Sequence, residues 1–177
     1  MSRFKGFGTL FGIELKLNVR DMNMVVFAIA PDKMVGVANA WDESAKAYFD
    51  AKYLELPLLG QLYGGKGELN LETLLAVEPD VVIDVGEPKD SMAEDLDALQ
   101  EQTGIPFVHI TALTENTGDV YRKLGDLLSM EQEAETLATY CDEHYAMITE
   151  LAGKVEKVKL LYLLGDTGLN VIAKGSY

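Results

Sequence analysis

Residues 58–86 read LLGQLYGGKGELNLETLLAVEPDVVIDVG. The stretch divides into a Gly-rich loop, a short helix, a Pro-Asp break and an apolar strand. Asn70 is well suited to cap the helix LETLLAVE, because its side-chain oxygen can accept from a backbone N–H left unpaired in the first turn. Pro79 stops that helix, since the residue before a proline is pushed out of the α region. Asp80 to Val85 (DVVIDV) is a β-branched run with little alternation. It predicts a strand buried on both faces, the habit of parallel sheets. A loop so rich in glycine beside such a strand marks a binding surface.

The pattern extends in both directions. Ile13 to Val19 alternates and predicts a strand, and Arg20 to Ala30 a helix packing through Met24, Phe27 and Ala28. Met34 to Ala38 is a short strand. Asp42 to Tyr53 has helical spacing at Ala45, Tyr48, Phe49 and Lys52, and Pro57 opens the Gly-rich loop. Beyond the central strand, Ser91 caps MAEDLDALQEQ, whose Met92, Leu96 and Leu99 face inward, and Gly104 ends that helix. Phe107 to Thr111 is the next strand and Asn116 to Met130 another helix. Glu131 to Val155 is the longest helical run, about 37 Å at 1.5 Å per residue. Its apolar stripe is Ala134, Leu137, Cys141, Tyr145, Ile148, Ala152 and Val155. Lys159 to Leu164 starts a further strand, with another begun before the chain ends.

This alternation predicts an α/β fold, a Rossmann-like parallel sheet flanked by helices. Residues 1–130 form the first lobe, 131–156 a long connecting helix, and 157–177 the first strands of a second lobe that the chain does not complete. In such a sheet, ligands lie at the carboxyl ends of the strands.

Charge and composition exclude several functions. Fifteen basic residues stand against 29 acidic ones, a net charge of −14. No basic stripe exists to neutralise phosphates, so nucleic acid is not an expected partner. The lone cysteine, Cys141, cannot form an intrachain disulfide, and its place on the helix stripe makes it a small packing residue. No segment approaches the roughly 20 apolar residues of a membrane span. The opening MSRFKGFGTLFG lacks both the apolar core of a signal peptide and a lipidatable cysteine.

Gly60 to Gly67 nearly matches the phosphate-binding pattern G-x-x-x-x-G-K-[ST]. Position 67 is glycine, so no hydroxyl is available for Mg²⁺, and the helix starts too late for its N-terminus to meet a phosphate. The spacing of Gly6, Gly8 and Gly12 misses the dinucleotide fingerprint. His109 and His144 are the only histidines, fewer than the convergent ligands a transition-metal site needs. No nucleophile elbow or catalytic triad spacing is present. A doubly wound nucleotide-binding or enzymatic domain therefore stays as the alternative reading, without residues to carry it.

Better-placed residues fall at strand ends. Arg20 follows the first strand, Asn39 and Trp41 the second, Glu87 the Asp80–Val85 strand, and Tyr63 sits in the Gly-rich loop. An arginine near aromatic rings suits an anionic, partly aromatic ligand: guanidinium for carboxylate or metal-bound oxygens, rings for stacking. Glu72 lies in the first turn of its helix, where the helix dipole favours it and where a partner protein's arginine could meet it.

The segments APDKMVGV (Ala30 to Val37), Pro57 to Gly86, and TGIPFVHI (Thr103 to Ile110) resemble the amino-terminal lobe of periplasmic substrate-binding proteins. The branch is that of ABC importers for iron-siderophores, haem and cobalamin. Its pattern N-L-E-x-[LI]-[LV]-A-x-x-P-D-[LV]-[VI]-[IL] is matched by Asn70 to Ile83, and the likeness runs from about Asn18 to Tyr177. The resemblance implies two α/β lobes joined by one long helix, with the ligand between them and no cofactor. It implies ligand contacts at Arg20, Asn39, Trp41, Tyr63 and Glu87, and permease docking through Glu72. It implies an extracytoplasmic protein, periplasmic or lipid-anchored at the cell surface. Relatives that bind bare zinc or manganese use histidines at loop ends; none stands at these, so a chelated or organic ligand is expected. Because such proteins are near twice this length, the chain reads as a fragment, its targeting segment absent. A homodimer burying the exposed cleft face is a further expectation.

Overall fold

The computed structural model describes residues 17–20, 23–61, 69–157, 159, 163–164 and 170–171. The first strand, β1 (Leu17–Arg20), lies beside β2 (Met34–Val37) and β3 (Val81–Gly86), and β3 beside β4 (Phe107–Thr111). The order is β2-β1-β3-β4 and every pairing is parallel. Helices α1 (Asn23–Ile29), α2 (Ala51–Leu54), α3 (Leu71–Ala76), α4 (Met92–Thr103) and α5 (Thr117–Leu128) fill the connections. The 24-residue α6 (Glu131–Lys154) follows. A two-stranded antiparallel pair, β5 (Leu163–Leu164) and β6 (Asn170–Val171), comes last. By internal packing the chain divides into two compact units, Met1–Tyr145 and Ala146–Tyr177.

The sheet's two faces have separate cores. Val81, Ile83 and Val85 join Val25, Val26 and Ile29 of α1 and Val120, Leu124 and Leu128 of α5. Val82, pointing the other way as strand alternation requires, packs with Leu59 and Leu74 of α3. All five residues from Val81 to Val85 are buried, as the β-branched run predicts.

Other expectations meet local corrections. Asn70 Oδ1 accepts from the Thr73 N–H at 3.0 Å, so the α3 cap is formed. Gly104 ends α4 at φ +72°, a left-handed conformation that favours glycine. Ser91, however, makes no side-chain cap; its hydroxyl donates to Asp95 Oδ2 at 3.0 Å. The single helix expected over 42–53 is two pieces, a 3-10 turn over Glu43–Ala47 and α2. Asp42 accepts from the Ser44 N–H, and Asp50 restarts the chain in extended conformation. The packing face of α1 is also not the predicted one. Val25, Val26 and Ile29 meet the sheet, while Met24 and Ala28 are exposed and Phe27 is half-buried. The helix is apolar nearly all round, so periodicity alone does not fix its rotation. In α6, Ala134 and Ala138 are buried, but Ile148 and Val155 of the predicted stripe are exposed. Gly125 of α5 permits the close approach: a Cβ there would lie 2.4 Å from the Ala134 Cβ.

Candidate functional site

Because the four strands run parallel, their carboxyl ends lie at one edge. Beyond β2, the segment after Pro57 extends the sheet: Val37 N–H donates to the Pro57 carbonyl, and Leu59 N–H to that of Val37. This fixes Gln61 beside Asn39, whose Oδ1 accepts from Gln61 Nε2 at 3.0 Å. The Asn39 carbonyl in turn accepts from Asn23 Nδ2 at 3.3 Å, tying the start of α1 to the end of β2.

These ties frame a pocket of about 830 Å³, lined by Asn23, Met24, Asn39, Trp41, Tyr48 and Phe49 among others. Its floor is an aromatic cluster. Phe27 stacks on Phe49 with ring centres 4.3 Å apart, and Trp41 meets both rings edge-on at 5.5 and 5.1 Å. The Trp41 indole N–H donates to the Tyr53 carbonyl at 2.8 Å. Tyr53 is itself held, its hydroxyl donating to Asp32 at 2.7 Å, where Lys52 also pairs at 2.5 Å. Lys52, then Tyr53, pull the Asp32 carboxyl below its ordinary value. The Trp41 ring is thus clamped while one part of it faces the pocket. Tyr48 is 84 % exposed and Met24 56 %, so the rim presents apolar surface to solvent. Two polar features stand out. Asn23 Oδ1 is buried and has no hydrogen-bond partner. Asp42, the one acid among the described lining residues, is held below its usual range by hydrogen bonds from Ser44.

Among the predicted site residues, Asn39 and Trp41 therefore share one wall. Arg20 ends β1, in register with Asp84 of β3. Glu87 is exposed just after β3 and does not line the pocket; Tyr63 lies outside the described residues. Glu72 is exposed in the first turn of α3.

The sequence reading missed Asn23, Met24 and Tyr48, and it missed a buried pair. Asp84, 4 % exposed, lies 2.8 Å from His109 Nδ1 on β4, and His109 Nε2 is 3.2 Å from the Thr111 hydroxyl. The signal was present: a carboxylate inside a strand buried on both faces demands a polar partner. His109 is thus a bonded core histidine. Among the described residues, no group of three or more His, Cys, Asp or Glu side chains could hold a metal ion. No described helix is long and apolar enough to cross a membrane.

Solved structures share this fold. A solute-binding protein of an ABC transporter from Sulfurospirillum deleyianum is 21% identical, with TM-score 0.65 over 80% of this chain and 45% of that one. A periplasmic solute-binding protein from Veillonella parvula is 22% identical, with TM-score 0.62 over 84% and 46%. The periplasmic heme-binding protein RhuT from Roseiflexus sp. RS-1 is 23% identical, with TM-score 0.57 over 86% and 57%. The chain spans about half the length of these structures. No curated protein sequence matches it. A family model described as periplasmic binding protein matches residues 18–177. With that match over most of its length, the chain belongs to the periplasmic binding protein family, whose members bind solutes and are not enzymes.

Proposed function

We propose that this chain is part of the extracytoplasmic solute-binding component of an ABC importer. It captures an iron complex, a siderophore or related chelate, in a cleft between two lobes and delivers it to a membrane permease. Residues 1–130 form one lobe, 131–156 the connecting helix, and 157–177 the start of the other. The carrying observation is the aromatic-floored pocket at the carboxyl end of β2, in a chain of the periplasmic binding protein family. In this proposal Asn39 and Trp41 form the pocket wall, and further contacts come from outside that wall, by Arg20 and Glu87 at the ends of neighbouring strands and Tyr63 of the Gly-rich loop. A guanidinium at position 20 meets metal-bound oxygens.

A thermal-shift screen tests the reading. Ferric siderophores, haem and cobalamin are compared with ATP and NAD; a ligand that binds only the folded state raises the melting temperature. A rise with ferric siderophore and none with nucleotides is expected. A rise with nucleotides alone overturns the proposal in favour of a nucleotide-binding domain. A rise with haem alone keeps the importer and replaces the siderophore, a reading that RhuT's heme binding makes worth an arm of the screen.

Docking to the permease runs through Glu72, whose exposed carboxylate in the first turn of α3 is free to meet an arginine. In the full-length protein, Glu72→Arg reverses that charge and should weaken permease binding at least tenfold. Unchanged affinity removes the docking assignment.

A further inference from the structure

Trp41 lines the pocket, and what holds it there lies outside. Its indole N–H donates to the Tyr53 carbonyl at 2.8 Å. That N–H is the only polar group of the side chain, so a ligand meets the Trp41 ring and not a donor. Tyr53 is not among the described residues that line the pocket. It belongs to α2, a helix of four residues, too short to hold its shape unaided. The segment 42–54 around it is mostly exposed, and its less exposed side chains include Phe49 and Tyr53, which attach it to α1.

Tyr53 has three anchors of its own. Its ring meets Phe27 of α1 edge-on at 5.0 Å. Its hydroxyl donates to Asp32 Oδ1 at 2.7 Å. Lys52 Nζ lies 4.6 Å from the centre of the same ring and pairs with the same carboxylate oxygen. Asp32 stands in the 3-10 turn Pro31–Lys33, between α1 and β2. A carboxylate just before β2 thus ties down the residue whose carbonyl fixes Trp41 just after β2. The Asp32–Lys52 pair is exposed and screened, so it adds little to overall stability. Its effect is on orientation. It takes freedom from Tyr53 before a ligand arrives, and freedom already removed is not lost on binding.

We infer that Tyr53, anchored by Asp32, is a positioning residue that sets the Trp41 ring from outside the pocket in the pose that meets the solute. The inference rests on the solute-binding reading above and deepens it.

Trp41 is the only tryptophan of the chain, so two readouts come from one side chain. Hydrogen exchange of its indole N–H reports the bond to Tyr53 without ligand. Its emission, corrected against free N-acetyltryptophanamide, reports binding of ferrioxamine B, haem or cobalamin, and the probe that binds wild type most tightly is carried through the variants. Tyr53→Ala should speed indole exchange and weaken the probe about tenfold. Tyr53→Phe and Asp32→Ala, which keep the ring, should each speed exchange and weaken the probe about threefold, with the melting temperature close to that of wild type. Asp32→Asn, which keeps an acceptor for the hydroxyl, should restore most of both. If Tyr53→Ala does not fold, the three milder variants decide. Wild-type exchange in Tyr53→Phe and Asp32→Ala, or wild-type affinity in the two, overturns the inference and leaves the solute-binding reading standing. Absence of saturable quenching of wild type by any of the three probes, up to about 1 mM, overturns both.

Discussion

The seam between α5 and α6 and the pocket at the end of β2 are both built with polar side chains, and they are finished differently. In the seam, Arg122 gives a bidentate fork to Glu135 at 2.8 and 2.9 Å and a further bond to Asp142 at 2.8 Å. Beneath it, Gly125 and Ala134 leave no room for another carbon. In the pocket, Asn23 keeps a buried acceptor without a donor, and Met24 and Tyr48 stand open to solvent. A region that only holds the fold satisfies its groups internally. A region that leaves apolar side chains exposed around a pocket is shaped for something that arrives later.

The closed regions can be broken in graded ways. The largest effect is expected at the Asp84–His109 pair. His109→Ala strips a buried carboxylate of its partner and should cost about 3 kcal/mol in urea unfolding. A loss below about 1 kcal/mol would mean that another group satisfies Asp84. Next comes Gly125→Val, whose added carbons must displace Ala134; overpacking of this kind costs about 1–3 kcal/mol. The comparison sharpens if Met24→Ala or Tyr48→Ala, on the open pocket rim, leaves stability nearly unchanged in the same assay.

Of the changes in the closed regions, Arg122→Ala should have the smallest effect on stability, because the fork is largely solvent-exposed and screened by salt. Its signature is in the pH dependence. Arg122, first of all, holds the Glu135 carboxyl below its ordinary 4.5. A group whose folded value is depressed contributes stability above its unfolded value, and that contribution is lost as pH falls through the folded value. Wild type should therefore lose this share of stability below about pH 4.5, and Arg122→Ala should show a shallower acid slope there. Parallel acid curves would show that the fork carries no linkage.

Much of the fold was legible because its signals are local. DVVIDV announces a strand buried on both faces, and Asn70 and Gly104 cap and stop helices by their own chemistry. The site was legible in part: a strand end followed by Asn39 and Trp41 is visible in the sequence. The rest depends on distant partners. Nothing near Asn23 in sequence shows that its amide meets a carbonyl 16 residues on. The 42–53 segment has helical spacing, yet two aspartates restart the chain and the aromatic cluster sets Trp41 and Phe49 together across the break. The rotation of α1 was hidden because an all-apolar helix offers no polar face to orient it; the sheet chooses Val25, Val26 and Ile29. The lower half of the α6 stripe is apolar at helical spacing and still exposed, because spacing describes a face and not what covers it.

The central claim is that the open pocket is a binding wall, and a chemical-shift map tests it most directly. The gallium complex of desferrioxamine B, a diamagnetic stand-in of the same shape as a ferric hydroxamate siderophore, is titrated into ¹⁵N-labelled protein. The Trp41 indole N–H, bonded to the Tyr53 carbonyl, gives the only indole signal of the chain. The account predicts saturable shifts in that signal and in the amides of Asn23, Met24, Asn39 and Tyr48, with the α5–α6 seam silent. Shifts confined to the seam or the α4 surface, or none at all, would contradict it.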